Sequence, residues 1–405
     1  MKSEAKAPAL VTSALSQTLA GDGVNSSLAN PIAGVPQNDD FALKIVAWQQ
    51  SAGRHSLPWQ NTRDPYRVWL SEIMLQQTQV VTVLDYYAQF LARYPEVGHL
   101  ATAPLDDVLA LWSGLGYYSR ARHLHACARQ VMTRFGGRFP TTAAQLETLP
   151  GIGPSTAAAV ASFCFSERVA ILDGNVKRVL TRYLAFEGDM SAGASVKQLW
   201  QRATALLPTN DLQHTMPRYT QGLMDLGATI CTQRRPQCQL CPVQATCQAR
   251  ALKAIEKYPV KSKKINRSAH QLQLLWVRRA DGSVWLERRP VTGIWGGLYC
   301  FPVTDGPDAL STLGQQLTHP CLSSWRLEPF LHVLTHKDLY LHTTVVEVSS
   351  EQSVLWSEAL GASSHEAPSG SWFSQETWPG LGLPAPIRKL LASGGHFQGS
   401  ASSSR

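Results

Sequence analysis

From Phe41 to about Arg250, apolar residues recur at three- and four-residue spacing, the pattern of helices with one buried face. The spacing predicts helices over 40–52, 68–93, 105–111, 119–135, 142–149, 155–163, 176–183 and 195–207, punctuated by Gly, Pro and Asp. Nothing in that region alternates as a strand does. A basic, polar stretch over 253–267 then breaks the pattern, and the texture changes. QLQLLWVRR, SVWLERRP, WGGLYCFPV and LYLHTTVVEV are short and strand-like, with DGS at 281–283 as a hairpin turn. The pattern divides the chain into a low-complexity, disordered extension (1–38), a mainly α domain (39–252), a basic linker (253–268), a smaller α+β domain (269–391) and a polar tail (392–405).

Composition adds bounds. A chain of 405 residues with 44% apolar content suits two cores plus tails. A formal charge of +8 is compatible with a polyanionic partner without identifying one. No apolar run reaches the roughly 18 residues that span a membrane, and the first residues lack the apolar stretch of a signal peptide. The expectation is a soluble, intracellular monomer with no membrane association, cytoplasmic (at the nucleoid) if the cell is prokaryotic.

Four of the eight cysteines, Cys231, Cys238, Cys241 and Cys247, fall within seventeen residues at spacing C-x6-C-x2-C-x5-C. In an intracellular chain such a cluster points to metal rather than disulfides. Zinc and an iron–sulfur cube both accept four thiolates, so spacing leaves the two open. Arg234 and Arg235 inside the first loop, with Arg250, Lys253 and Lys257 after it, suit phosphates or a plain solvated rim equally well.

Residues 149–156 read LPGIGPST ahead of the apolar run AAAVASF. The turn through Gly151 and Gly153 into a helix start would present backbone N–H groups, and the helix dipole, to a phosphate. Two carboxylates stand out from an otherwise surface-type set. Glu72 lies in VWLSEIMLQQTQV among apolar neighbours, where a carboxyl tends to stay protonated, as a general acid must; a place on the polar stripe of an amphipathic helix is the plainer reading. Asp173 in ILDGNVKRVL precedes a helix, where it serves as an N-cap, and the amides around it would keep it ionised. One protonated and one ionised carboxyl is the division of labour that glycosidic cleavage uses.

Taken in order, LSEIMLQQTQV, LPGIGPSTA, ILDGNVKRVL and C-x6-C-x2-C-x5-C closely resemble the helix–hairpin–helix DNA glycosylases that carry an iron–sulfur cluster, over about residues 41–250. The resemblance implies a two-lobed helical fold with a 4Fe–4S cluster on the four cysteines. Two sister types differ in the hairpin's second helix, where the endonuclease III type has a nucleophilic lysine. Ser155 stands there in this chain and cannot form a Schiff base, which favours a monofunctional enzyme. GLGYYSRAR at 114–122 and GIWGGLYCFP, which resembles a Nudix-like C-terminal domain, match the MutY type instead. That type removes adenine opposite 8-oxoguanine or guanine in duplex DNA by flipping the base out.

The same resemblance implies the roles. Glu72 would protonate adenine, Asp173 would stabilise the sugar cation, and Asn175 would orient water or sugar. Gln77 and Tyr117 resemble residues that insert into the duplex, and Trp59 and Gln221 would line the adenine pocket. The family reads 8-oxoguanine with a Phe-Ser-His loop; here Leu334, Thr335 and His336 occupy it, keeping the hydroxyl and the histidine without the aromatic ring. After FPV the Glu-rich helix that binds magnesium in Nudix hydrolases is replaced by TDGPDALSTLGQQL, so no pyrophosphatase activity is expected.

Overall fold

The computed structural model describes residues 38–262, 267–305, 318–362 and 370–394. The extension before Asn38, part of the linker, most of TDGPDALSTLGQQL and the tail beyond residue 394 lie outside the described residues.

The first region is helical, as the spacing requires: α1 (Asn38–Ala52), α2 (Pro65–Leu75), α3 (Val80–Arg93), α4 (Val97–Thr102), α5 (Leu105–Leu111), α6 (Ser119–Phe135), α7 (Ala143–Leu146), α8 (Pro154–Phe165), α9 (Gly174–Tyr183), α10 (Gly193–Ala205), α11 (Leu212–Asp225) and α12 (Gln248–Ala251). One core gathers Trp69 of α2, Phe90 of α3, Leu124 and Val131 of α6 and Val160 of α8, with Trp112 just past the end of α5. Phe90 meets Trp112 edge-on at 5.6 Å, the geometry that aromatic quadrupoles favour.

Two predicted boundaries change. The continuous helix over 68–93 is two helices, because Gln77 takes φ +58 and the chain turns between α2 and α3. The helix over 142–149 shrinks to Ala143–Leu146, capped by the Thr142 hydroxyl on the Gln145 N–H. Helix α11 had no clear signature, since it opens on the polar run LQHT and contains Pro217.

The second region is a mixed sheet. Its strands are β1 (Ser268–Arg279), β2 (Val284–Arg288), β3 (Tyr299–Cys300), β4 (Val303–Asp305), β5 (Ser323–Arg326), β6 (Phe330–Val333), β7 (Lys337–Val348) and β8 (Gly370–Phe373). The path β3-β2-β1-β7-β5 runs through the long parallel pair β1–β7, registered from Ser268↔Lys337 to Arg279↔Val348. Two helices, α13 (Gln352–Ala362) and α14 (Ala385–Ala392), complete it. Ile387 and Leu390 of α14 pack on Leu274, Leu286 and Leu341 of one sheet face. Trp356 of α13 packs on Val277 and Val346 of the other.

The sheet region is docked on the helices rather than tethered to them. Leu298 belongs to the helical core, and Arg288 pairs with Asp106 at 2.7 Å. The Leu383 carbonyl accepts from Ser113 Oγ at 3.0 Å and from the Tyr118 hydroxyl at 2.9 Å. Ser113 precedes the GLGYY loop and Tyr118 ends it, so this docking sets where the sheet's loops stand relative to Tyr117.

Candidate active site

A cleft of about 1220 Å³ opens between α2, α8, α9 and α11 and brings Glu72, Ser155, Asp173, Asn175, Gln221 and Gln77 together. Glu72 projects from the third turn of α2, a helix started by Pro65 and by Asp64, whose carboxylate accepts the Tyr66 N–H at 2.9 Å. The apolar faces of Trp69, Ile73 and Met74 hold the helix in the core and leave Glu72 half-buried at the cleft wall. Burial, and then Asp173, pushes its carboxyl up to about 8.

Asp173 is the N-cap of α9, with Oδ1 accepting the Val176 N–H at 2.6 Å. The amides of Val176 and Asn175, with Arg178 and Lys177, draw its pKa down, but burial outweighs them and the net direction is up. The cleft thus desolvates both carboxyls, and Asp173 is the one that accepts backbone N–H bonds. Ser155 joins the hairpin to this segment, its hydroxyl accepting the Leu172 N–H at 3.1 Å.

The Asn175 Oδ1 accepts from Arg178 Nη2 at 2.8 Å. A Cβ on Gly227 would stand 2.6 Å from the Asn175 Cβ, so only glycine lets the turn that follows α11 (Leu226–Ile230) approach α9 here. In the hairpin, Gly151 has φ +75 and would clash with His123 if it carried a Cβ. Gly153 is the extended N-cap of α8.

Gln221 faces the cleft while donating Nε2 to Asp225 at 2.9 Å. Asp225 is fully buried and also accepts from Arg54, at 2.7 Å from Nε and 3.0 Å from the backbone N–H. Sequence reasoning missed this carboxylate, although it sits in GLMDLGA with the same apolar company that drew attention to Glu72. Trp59 is mainly a core residue, edge-on to Tyr87 at 5.4 Å, and shows only part of its surface to the cleft.

Gln77 and Tyr117 are both exposed, and both take left-handed backbone conformations, φ +58 and φ +48. Tyr117 stands apart from the cleft lining, its hydroxyl against Thr335 Oγ1. Leu334, Thr335 and His336 form the turn between β6 and β7, closed by the Leu334 N–H on the Lys337 carbonyl at 2.8 Å. Leu334 packs inward, while Thr335 and His336 are exposed.

Cys231, Cys238, Cys241 and Cys247 line one small cavity with Ile230, Ile255 and Arg182. Helix α9 fastens this loop to the cleft. Arg178 Nε donates to the Cys231 carbonyl at 2.8 Å, and Arg182 Nη1 donates to the Thr232 carbonyl at 2.7 Å and to the Cys231 sulfur at 3.4 Å. Burial pushes the Cys241 thiol up to about 12, with the other three sulfurs adding to it. Among the described residues no three His, Cys, Asp or Glu side chains are grouped so as to hold a single metal ion.

Residues 70–204 match the HhH-GPD superfamily of base excision DNA repair proteins, and residues 273–393 match the NUDIX domain. Fold and cleft together define a DNA glycosylase of base-excision repair that carries a Nudix domain. A solved thermostable thymine-DNA glycosylase is 30% identical, with 52% of this chain and 95% of that one covered and a TM-score of 0.46. The adenine DNA glycosylase of Buchnera aphidicola subsp. Baizongia pistaciae is 34% identical over 351 residues, covering 87% of this chain and 95% of that one. The human adenine DNA glycosylase is 42% identical over 220 residues, 52% of this chain and 39% of its own. The chain belongs to the adenine DNA glycosylase family.

Proposed function

We propose that this protein, acting as a monomer, removes adenine paired with 8-oxoguanine, or with guanine, from double-stranded DNA, in the nucleoid if the cell is bacterial. The observation that carries this reading is the pair of carboxyls in one cleft, with Glu72 held at a pKa of about 8 beside Asp173. At neutral pH Glu72 keeps its proton and gives it to the flipped adenine at N7. The electron pair of the C1′–N9 bond then leaves with the base. Asp173, the better hydrogen-bonded carboxyl, stabilises the resulting sugar cation until water adds at C1′ and its proton returns to the Glu72 carboxylate, and Asn175 orients that water. Ser155 offers a hydroxyl and no amine, so the product is an abasic site without strand cleavage.

The remaining residues take supporting roles. Gln77 and Tyr117 fill the space left by the extruded base, and Trp59 and Gln221 wall its pocket. Gly151 and Gly153, at the start of α8, place backbone N–H groups against a phosphate. Thr335 and His336 read the 8-oxoguanine. Cys231, Cys238, Cys241 and Cys247 hold a 4Fe–4S cluster, a reading supported by their shared cavity; when bound, the cluster pins the loop that carries Arg234 and Arg235. The division into a glycosylase domain (39–252), a linker (253–268) and a lesion-reading domain (269–391) is part of the same proposal.

The test is single-turnover adenine release from duplexes with adenine opposite 8-oxoguanine, guanine or thymine, using the native protein, Glu72→Gln and Asp173→Asn. The proposal expects release opposite 8-oxoguanine and guanine but not thymine, and its loss in both variants. Release by Glu72→Gln at the native rate would remove the proton donor from the account.

A further inference from the structure

Outside the cleft lining, one buried side chain joins three of the parts just described. Arg120 lies in the first turn of α6 and is 8% exposed. Its Nη1 donates to the carbonyls of Ile73 and Met74, 2.8 Å each, next to Glu72 at the end of α2. Its Nη2 donates to Thr78 Oγ1 at 3.1 Å, beside Gln77, and to the carbonyls of Leu115 and Gly116 at 3.2 Å, beside Tyr117. The guanidinium carbon also lies 5.2 Å from the Trp112 ring and 5.7 Å from the Tyr117 ring.

These contacts fall where the backbone needs support. Ile73 and Met74 are among the last residues of α2, whose carbonyls have no helical partner. Gln77 and Tyr117 both hold positive φ, a conformation that non-glycine residues keep only when their surroundings over-determine it. A single planar fork reaches both turns at once. Lysine would offer its donors from one point and could not span them.

We infer that Arg120 is a positioning residue for base extrusion: it fixes Gln77 and Tyr117 in register with each other and with Glu72, so that the duplex is opened where the acid waits. The inference rests on the function proposed above. It separates two jobs, opening the stack and breaking the glycosidic bond, and assigns Arg120 to the first.

Two substrates separate those jobs. In one duplex adenine pairs with 8-oxoguanine; in the other it faces an abasic-site analogue, so little pairing opposes extrusion. A third duplex carries 2-aminopurine opposite 8-oxoguanine and reports unstacking by fluorescence. Arg120→Lys is expected to slow release from the paired duplex by about 100-fold and from the unpaired one by less than about 10-fold, with the 2-aminopurine signal reduced in parallel. Its pH profile, set by Glu72, stays in place. Thr78→Val removes the bond from Arg120 to the Gln77 turn, together with the long Thr78 bond to the Gln76 carbonyl, and leaves the other Arg120 contacts; it gives a smaller loss with the same substrate pattern, and carries the test if Arg120→Lys does not fold. Equal losses on both duplexes, or native extrusion by the variants, would overturn the inference. Failure of the native protein to release adenine from either duplex would instead defeat the proposed function.

Discussion

The hydroxyl of Tyr117 on the helical region meets the hydroxyl of Thr335 in the β6–β7 turn, although 218 positions separate them in the chain. Docking of the sheet through Arg288–Asp106 and the Leu383 carbonyl sets this contact. It places the residue proposed to enter the duplex beside the residue proposed to read the lesion. Tyr117→Phe and Thr335→Val should therefore each lower the preference for 8-oxoguanine over guanine opposite adenine. Their effects should not add: a coupling of about 0.5–1.5 kcal/mol is expected from a double-mutant cycle on binding. Additive losses would mean that the two side chains act separately.

The raised pKa of Glu72 gives the pH dependence a definite sign. The acid works protonated, so on the alkaline side the rate of release falls as pH rises through about 8. Asp173 works ionised, and its upward direction makes the rate fall at the acid end as well. The profile is a bell belonging to the coupled pair.

Stability should fall with rising pH as well, over a range that ends where the activity is lost. The folded state binds the Glu72 proton more tightly than the unfolded chain, whose value is near 4.5. What that group contributes to folding is complete below pH 4.5 and lost as pH rises through 8. Glu72→Gln should therefore melt above the native protein at pH 8 and close to it at pH 4, while releasing no adenine.

Asp225 is a fully buried carboxylate whose charge is costly to strand. Arg54→Ala leaves it buried with only Gln221 as a side-chain donor, and should cost about 3–5 kcal/mol in chemical denaturation. Because Gln221 would be drawn further onto Asp225, adenine affinity should fall too. Asp225→Asn with Arg54→Ala should recover much of the stability.

Gly227→Ala tests the packing behind Asn175. The added methyl meets the Asn175 Cβ, so turnover is expected to fall about 100-fold while DNA binding is kept. A native turnover in this variant would show that Asn175 has no fixed place in the chemistry.

Much of this was legible in the sequence, where local chemistry carried it. The helical spacing, the hairpin glycines, the four cysteines and the two carboxylates each leave a short-range signature. What escaped is non-local. Arg120 looks like one more basic residue in GLGYYSRAR, and its five backbone and side-chain acceptors come from two separate segments. The break at Gln77 hides inside a continuous apolar periodicity, because the turn is stabilised by that arginine and not by glycine or proline. Strands β5, β6 and β8 are four residues each and define no alternation of their own; they exist because β7 and β2 supply partners.

The most direct test of the account is single-turnover cleavage of a duplex with adenine opposite 8-oxoguanine, analysed with and without alkali. The account predicts adenine release with strand breaks appearing only after alkali, and none from a matched adenine–thymine duplex. Strand breaks without alkali, or a preference for thymine glycol, would contradict it.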